Sequence, residues 1–182
     1  KKGKTAQVAL RINPNVDAHT HEYITTGLNE NKFGFSMAHL DNAIEVLKSL
    51  KNLKLIGIHF HIGSQIEDVH TFDPLCERIN ELQDLFEAKG MKLENINVGG
   101  GFGIDYEDPD ANPISDFQRY FELFHKGLKL RDGQVVHFEL GRAIVAQCGS
   151  LVTKVTYVKH GESKTFVIVD AGMTDLIRPA LY

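Results

Sequence analysis

Short, mostly apolar runs of strand length alternate along the chain with stretches in which apolar residues recur every three or four positions. Ala6 to Ile12 reads as a strand, and Leu40, Ala43, Ile44 and Leu47 then mark one face of a helix. A second strand is predicted over Lys54 to Phe60. The following helix is well punctuated, with Asp73 suited to the N-cap, Pro74 to the first turn, Leu75, Ile79, Leu82 and Phe86 forming the stripe, and Gly90 suited to the stop. Leu93 to Val98 gives a third strand. Ile114, Phe117, Phe121, Phe124 and Leu128 form another helical stripe, leading to a fourth strand at Val135 to Glu139. The order β-α-β-α-β-α-β predicts parallel strands.

After Arg142 the rhythm changes. Leu151 to Val158 and Thr165 to Asp170 are strand-like, rich in Val and Thr, and joined by His160-Gly161-Glu162-Ser163 with no helix between, which predicts an antiparallel hairpin. Four βα repeats are too few to close an eight-stranded barrel, yet polar residues and glycines gather at the C-terminal strand ends, as they do in one. The expected fold is therefore α/β: residues 1–145 as the C-terminal half of a (β/α)8 TIM-type barrel, and residues 146–182 as the start of an antiparallel β-domain. An open four-stranded sheet with ligands at its carboxyl edge is the other topology this pattern allows.

A chain of 182 residues with 42% hydrophobic content can bury a core. Its net charge of -4, with acidic and basic residues interspersed, argues against nucleic acid as a partner. No apolar stretch approaches the ~20 residues of a membrane span, and Lys1-Lys2-Gly3-Lys4 has no apolar signal region behind it. The expected setting is cytoplasmic. Cys76 and Cys148 are too few for a disulfide framework and lack metal-type spacing, so both read as reduced thiols.

Three strand ends carry chemistry. His61-Ile62-Gly63-Ser64 follows the second strand, Gly99-Gly100-Gly101 the third, and Glu139-Leu140-Gly141-Arg142 closes the fourth. Successive glycines let backbone N–H groups converge on an anion, and Ser64 adds a hydroxyl, so a phosphorylated ligand fits. Glu139, placed by this reading on a buried strand, needs a cationic partner. Arg142 is one, and a protonated ring nitrogen of a cofactor is the other. His59 and His61 lie two apart and face the same side. They read as hydrogen-bonded core histidines, as the metal pair of a metal-dependent barrel hydrolase, or, for His61, as a flat ring against a planar cofactor. The metal reading needs further ligands at later strand ends, where glycines and Glu-Leu-Gly-Arg stand instead, so stacking fits better and no metal is expected.

Taken in order, these segments resemble the motif set of the pyridoxal-phosphate-dependent decarboxylases of the alanine-racemase fold. The segments are His61-Ile62-Gly63-Ser64-Gln65, Gly99 to Gly103, Glu139 to Arg142, and the run from Asp170 to Tyr182. Within that family the closest likeness is to the diaminopimelate decarboxylase branch, on Asn13 to His21, Lys32-Phe33-Gly34 and the ending Ile177-Arg178-Pro179-Ala180-Leu181-Tyr182. Leu140 stands where the family commonly has proline, a change of loop stiffness and not of chemistry.

The resemblance implies pyridoxal 5'-phosphate as cofactor and decarboxylation of meso-2,6-diaminopimelate to L-lysine, the last step of bacterial lysine biosynthesis. It assigns Glu139 and His61 as catalytic, His61 stacking on the ring and Glu139 pairing with the pyridine nitrogen. Ser64, Gly101 and the segment Leu140, Gly141 and Arg142 would bind the cofactor and its phosphate. Arg142, Arg178 and Tyr182 would hold the far end of the substrate. The family's Schiff-base lysine lies upstream of everything here and no segment resembles its surroundings, so residues 1–182 alone are expected to be inactive. A homodimer is implied for the full-length enzyme. An ornithine- or arginine-type decarboxylase and a hydrolase built on His59 and His61 are the competing activities. A relative that only binds is disfavoured by the retention of Glu139, Arg142, Ser64 and the glycine run.

Overall fold

The structure, a computed structural model, describes residues 3–16 and 33–177. The chain divides into two compact units, residues 1–146 and 147–182. In the first, β1 (Ala6–Arg11), β2 (Leu53–His59), β3 (Asn95–Asn97) and β4 (Val135–His137) form one four-stranded sheet in the order β1-β2-β3-β4. All three pairings are parallel. The intervening helices are α1 (Met37–Ser49), α2 (Asp73–Ala88) and α3 (Phe117–Gly127), followed by the short α4 (Arg142–Val145).

Register separates the two faces of the sheet. Leu10, Ile58, Ile96 and Val136 align across the four strands, and the first three are buried. They belong to one core with Leu40 and Ile44 of α1, Ile79, Leu82 and Phe86 of α2, and Tyr120 and Phe124 of α3. The next row is Arg11, His59, Asn97 and His137, which by strand alternation faces the other way. One face is thus apolar under helices and the other is a polar floor at the C-terminal strand ends.

α2 starts differently from the sequence expectation. A 3-10 turn over Val69–Phe72 leads directly into it, with Asp68 accepting from the His70 N–H, so Asp73 is the first helical residue and not the cap. Its carboxylate instead bonds the His70 ring at 2.8 Å. The C-terminal stop behaves as expected: Gly90 has φ +74, its N–H bonds Glu87 O and the Met91 N–H bonds Phe86 O, both at 2.9 Å. This is the Schellman arrangement, and it satisfies two otherwise orphaned carbonyls.

α3 also departs from its predicted stripe. Ile114 lies before the helix and is 74% exposed, Phe121 is 42% exposed, and Tyr120 is fully buried. Tyr120 stacks on Phe102 at 4.5 Å and meets Phe72, Phe124 and Phe138 edge-on. An aromatic cluster selects the broad ring at position 120, and the phenol oxygen did not exclude it from the core.

In the second unit, β5 (Val155–His160) and β6 (Thr165–Val169) form the expected antiparallel hairpin. The first strand begins later than the apolar run, since Leu151 to Lys154 stay outside the ladder. Cys76 and Cys148 are both thiols. Among the described residues, no helix is long and apolar enough to cross a membrane.

Candidate functional site

The polar groups at the ends of β2, β3 and β4 come together through the glycine bend. Each of its glycines presses on a different neighbour. A Cβ on Gly99 would lie 2.2 Å from Phe60 O, one on Gly100 2.2 Å from Glu139 O, and one on Gly101 2.3 Å from Gly63 O. Gly99 and Gly101 also hold φ values of +78 and +104, where side chains are strained. The run is therefore more than a tight turn: it lets three loops touch through their backbones.

Hydrogen bonds fix that junction. The Glu139 N–H donates to Gly99 O at 2.8 Å, and the Gly100 N–H donates to His61 Nδ1 at 3.3 Å. Ile66 N–H donates to Gly101 O, and Gly103 N–H returns to Ile66 O, each at 2.9 Å. Because Nδ1 of His61 accepts, its neutral ring carries the proton on Nε2. Burial lowers the pKa of His61, and the Arg11 charge lowers it further against the raising effect of Glu139. The imidazole is a neutral, flat surface at physiological pH.

Glu139 was expected on a buried strand, but its side chain is 52% exposed. It lies just past β4, which pairs only with β3 and so forms an edge of the described sheet. Its partners also differ from the expectation of Arg142. Asn97 Nδ2 donates to Oε1 at 2.8 Å, and His59 Nε2 stands 3.4 Å from Oε2, close enough to feel the charge but long for a hydrogen bond. Burial lowers the pKa of His59, with Glu139 opposing the shift.

Arg142 turns to Gln65. Its Nη1 donates to Gln65 Oε1 at 2.9 Å, and its guanidinium carbon lies 5.8 Å from the centre of the Tyr106 ring. Gln65 occupies the left-handed region at φ +58. Its side chain also receives the Ile104 N–H and donates to Ile104 O and Glu67 Oε1. Gln65, present in the motif without a role, and Asn97, absent from the motifs, are the two side chains that organise the junction beyond the sequence expectation. Alternation places Asn97 on the face of His59 and Glu139, a signal present in the sequence, whereas nothing local marks Gln65 for a left-handed backbone.

The junction therefore gathers His59, His61, Gly99, Gly100, Gly101 and Glu139. Ser64, Leu140 and Gly141 lie on the same three loops, Ser64 and Leu140 partly buried and Gly141 exposed at the start of α4. Arg178 and Tyr182 fall outside the described residues, as do Asp17 to His21 and Lys32. Lys54 sits near the opposite end of β2, paired with Glu94 at 2.7 Å. Among the described residues, no three His, Cys, Asp or Glu side chains converge as a metal site requires.

The chain is similar over nearly its whole length to several known proteins. Diaminopimelate decarboxylase of Bacteroides thetaiotaomicron is 61% identical over 179 residues, which is 98% of this chain and 46% of that protein. The enzyme of that name from Neisseria meningitidis serogroup A is 47% identical over 99% of this chain and 43% of its own length. A crystal structure of diaminopimelate decarboxylase from Helicobacter pylori complexed with L-lysine superposes with a TM-score of 0.86 at 38% identity, covering 99% of this chain and 44% of that one. The chain thus spans a little under half the length of these relatives. Residues 1–146 match the pyridoxal-binding domain of the pyridoxal-dependent decarboxylases, and the chain belongs to that family.

Proposed function

We propose that the full-length protein containing this chain decarboxylates meso-2,6-diaminopimelate to L-lysine with pyridoxal 5'-phosphate. The observation that carries the reading is the junction itself, in which the imidazole of His61 and the main chain of Glu139 both bond the glycine bend and Asn97 links that bend to the Glu139 carboxylate. Identity of 61% to a diaminopimelate decarboxylase supports the substrate.

The residues present suit the cofactor. Glycines at 99, 100 and 101 let the three strand-end loops close on one another, which brings the neutral ring of His61 and the Glu139 segment to one place, and Ser64 follows Gly63, whose carbonyl abuts Gly101. In this reading Ser64, Gly101 and the backbone of Leu140, Gly141 and Arg142 hold the phosphate. His61 packs flat on the ring, which its neutrality favours. Pyridoxal phosphate, when bound, supplies a sink for the electron pair left on Cα as carbon dioxide departs. Glu139 would keep a proton on the pyridine nitrogen, with its carboxylate held for that task by the Asn97 amide. Arg142 with Arg178 and Tyr182 grips the distal carboxylate, which selects diaminopimelate over substrates ending in an amine alone.

The architecture proposed for the whole is a (β/α)8 barrel of which residues 1–145 form the second half, with residues 146–182 opening an antiparallel β-domain. A cytoplasmic homodimer belongs to the same proposal, from the family resemblance. The test is to supply the full-length protein with pyridoxal phosphate and follow carbon dioxide and lysine from diaminopimelate, with ornithine, arginine and lysine as competing substrates. Lysine formed from diaminopimelate in strong preference is expected. Turnover of ornithine or arginine alone would transfer the protein to the other branch of the family.

A further inference from the structure

We propose that Asn97 is the positioning residue for Glu139, setting the direction in which its carboxylate meets the ring nitrogen; the inference rests on the role given to Glu139 above. Asn97 is the last residue of β3, level with His59 on β2 and His137 on β4. Its side chain bridges two parts of the junction. Oδ1 accepts the Gly99 N–H at 2.9 Å, and Nδ2 donates to Glu139 Oε1 at 2.8 Å.

The orientation of this amide follows from chemistry. Gly99 N–H is a donor and needs the amide oxygen, which leaves the NH2 group directed at the carboxylate, a pure acceptor. Reversing the amide would break both bonds. Asp in this place would keep the first bond and lose the second, and an apolar side chain would lose both.

Glu139 needs such a hold. It has three rotatable bonds, and a carboxylate without a partner would spread over several rotamers. Its main chain is already tied to Gly99 O. With Asn97 bonded to both the Gly99 N–H and the carboxylate, one short loop fixes Glu139 at backbone and side chain together. His59 flanks the second oxygen, so the two oxygens have different neighbours and the carboxylate plane is defined. The catalytic carboxylate thus receives its direction from β3, although it is carried by the segment just past β4.

The test uses the full-length enzyme loaded with pyridoxal phosphate. Asn97→Asp keeps the acceptor for Gly99, removes the donor to Glu139 and sets a second negative charge beside its carboxylate, while Asn97→Ala removes both bonds and adds no charge, so a loss shared by the two variants reports the lost hold on Glu139. For Asn97→Asp we expect kcat to fall about tenfold or more, with KM for diaminopimelate within about threefold. Equilibrium binding of pyridoxal phosphate, followed by its absorbance, should weaken as well. In a Glu139→Gln background the same change should add less than about twofold, because the two residues act through one interaction. Thermal melting separates these effects from unfolding, and the isosteric Asp variant carries the test if the Ala variant does not fold. Asn97→Asp with near-parental kcat and cofactor affinity, beside an impaired Glu139→Gln, overturns the positioning role and leaves that of Glu139 standing. Independent, multiplying losses in the double variant also overturn it. A fully active Glu139→Gln enzyme removes the ring-nitrogen role and this inference with it.

Discussion

Gly100→Ala isolates the geometry of the junction from backbone strain. Gly99 and Gly101 hold positive φ, so any substitution there combines strain with collision, whereas Gly100 is not in that region. An added methyl at Gly100 would sit 2.2 Å from Glu139 O, while ordinary contact begins at 3.4 Å, so the bend and the end of β4 must part by about 1.2 Å. The group displaced is the backbone that carries the proposed catalytic carboxylate. A misplacement of about 1 Å at a reacting centre costs on the order of 100-fold in rate, or about 2.7 kcal/mol of activation free energy. Overpacking adds a stability loss of about 1–3 kcal/mol. The assay is steady-state decarboxylation by the full-length enzyme, with a melting curve to confirm that the variant is folded at the assay temperature. A Gly100→Ala enzyme within about threefold of the parent in kcat/KM would mean that contact between the bend and Glu139 does not set the catalytic geometry.

Other expectations can be checked in the same preparation. Glu139→Gln should lower kcat by about 100-fold with little change in KM, as for removal of an electrostatic stabiliser, and unchanged turnover would exclude a role at the ring nitrogen. Arg178→Ala should raise KM for diaminopimelate strongly, and an unaltered KM would move Arg178 out of the substrate site. Burial holds the pKa of His59 and His61 below the ordinary 6.5, so between that value and their lowered ones the unfolded chain binds more protons than the folded. Stability should therefore drop as pH falls below about 6.5 and level off beneath the lowered values; melting temperatures flat across that range would contradict the shifts. Burial pushes the Cys76 thiol up to about 12. It should resist a thiol reagent in the native protein and react on unfolding, with rapid native labelling of Cys76 as the contrary result.

The elements most legible in the sequence were those whose signal is local and repeated. α2 shows its stripe and its Gly90 stop, and β2 shows a continuous run, so both were placed within a residue or two. β3 was read too long because Leu93 and Val98 are as buried as strand residues although only Asn95–Asn97 pair. α3 was misjudged because a hydroxyl on Tyr120 lowers its apparent hydrophobicity, while its ring is what the cluster with Phe72, Phe102 and Phe138 requires. The convergence of the site residues was readable, since parallel strands bring their C-terminal ends to one edge. Their pairings were not. Arg142 is three residues from Glu139, yet its guanidinium goes to Gln65, a choice set by a left-handed residue 77 positions earlier in the chain.

The glycine bend also constrains how such a protein can diverge. Three successive positions each abut a different stretch of main chain, and main chain cannot be trimmed by a compensating substitution the way a facing side chain can. In a saturation scan they should appear as a solid block of intolerance, while the exposed stretch 106–114 a few residues later accepts most replacements. Change in this part of such a protein is therefore confined to side chains around the bend, while the bend itself is inherited whole.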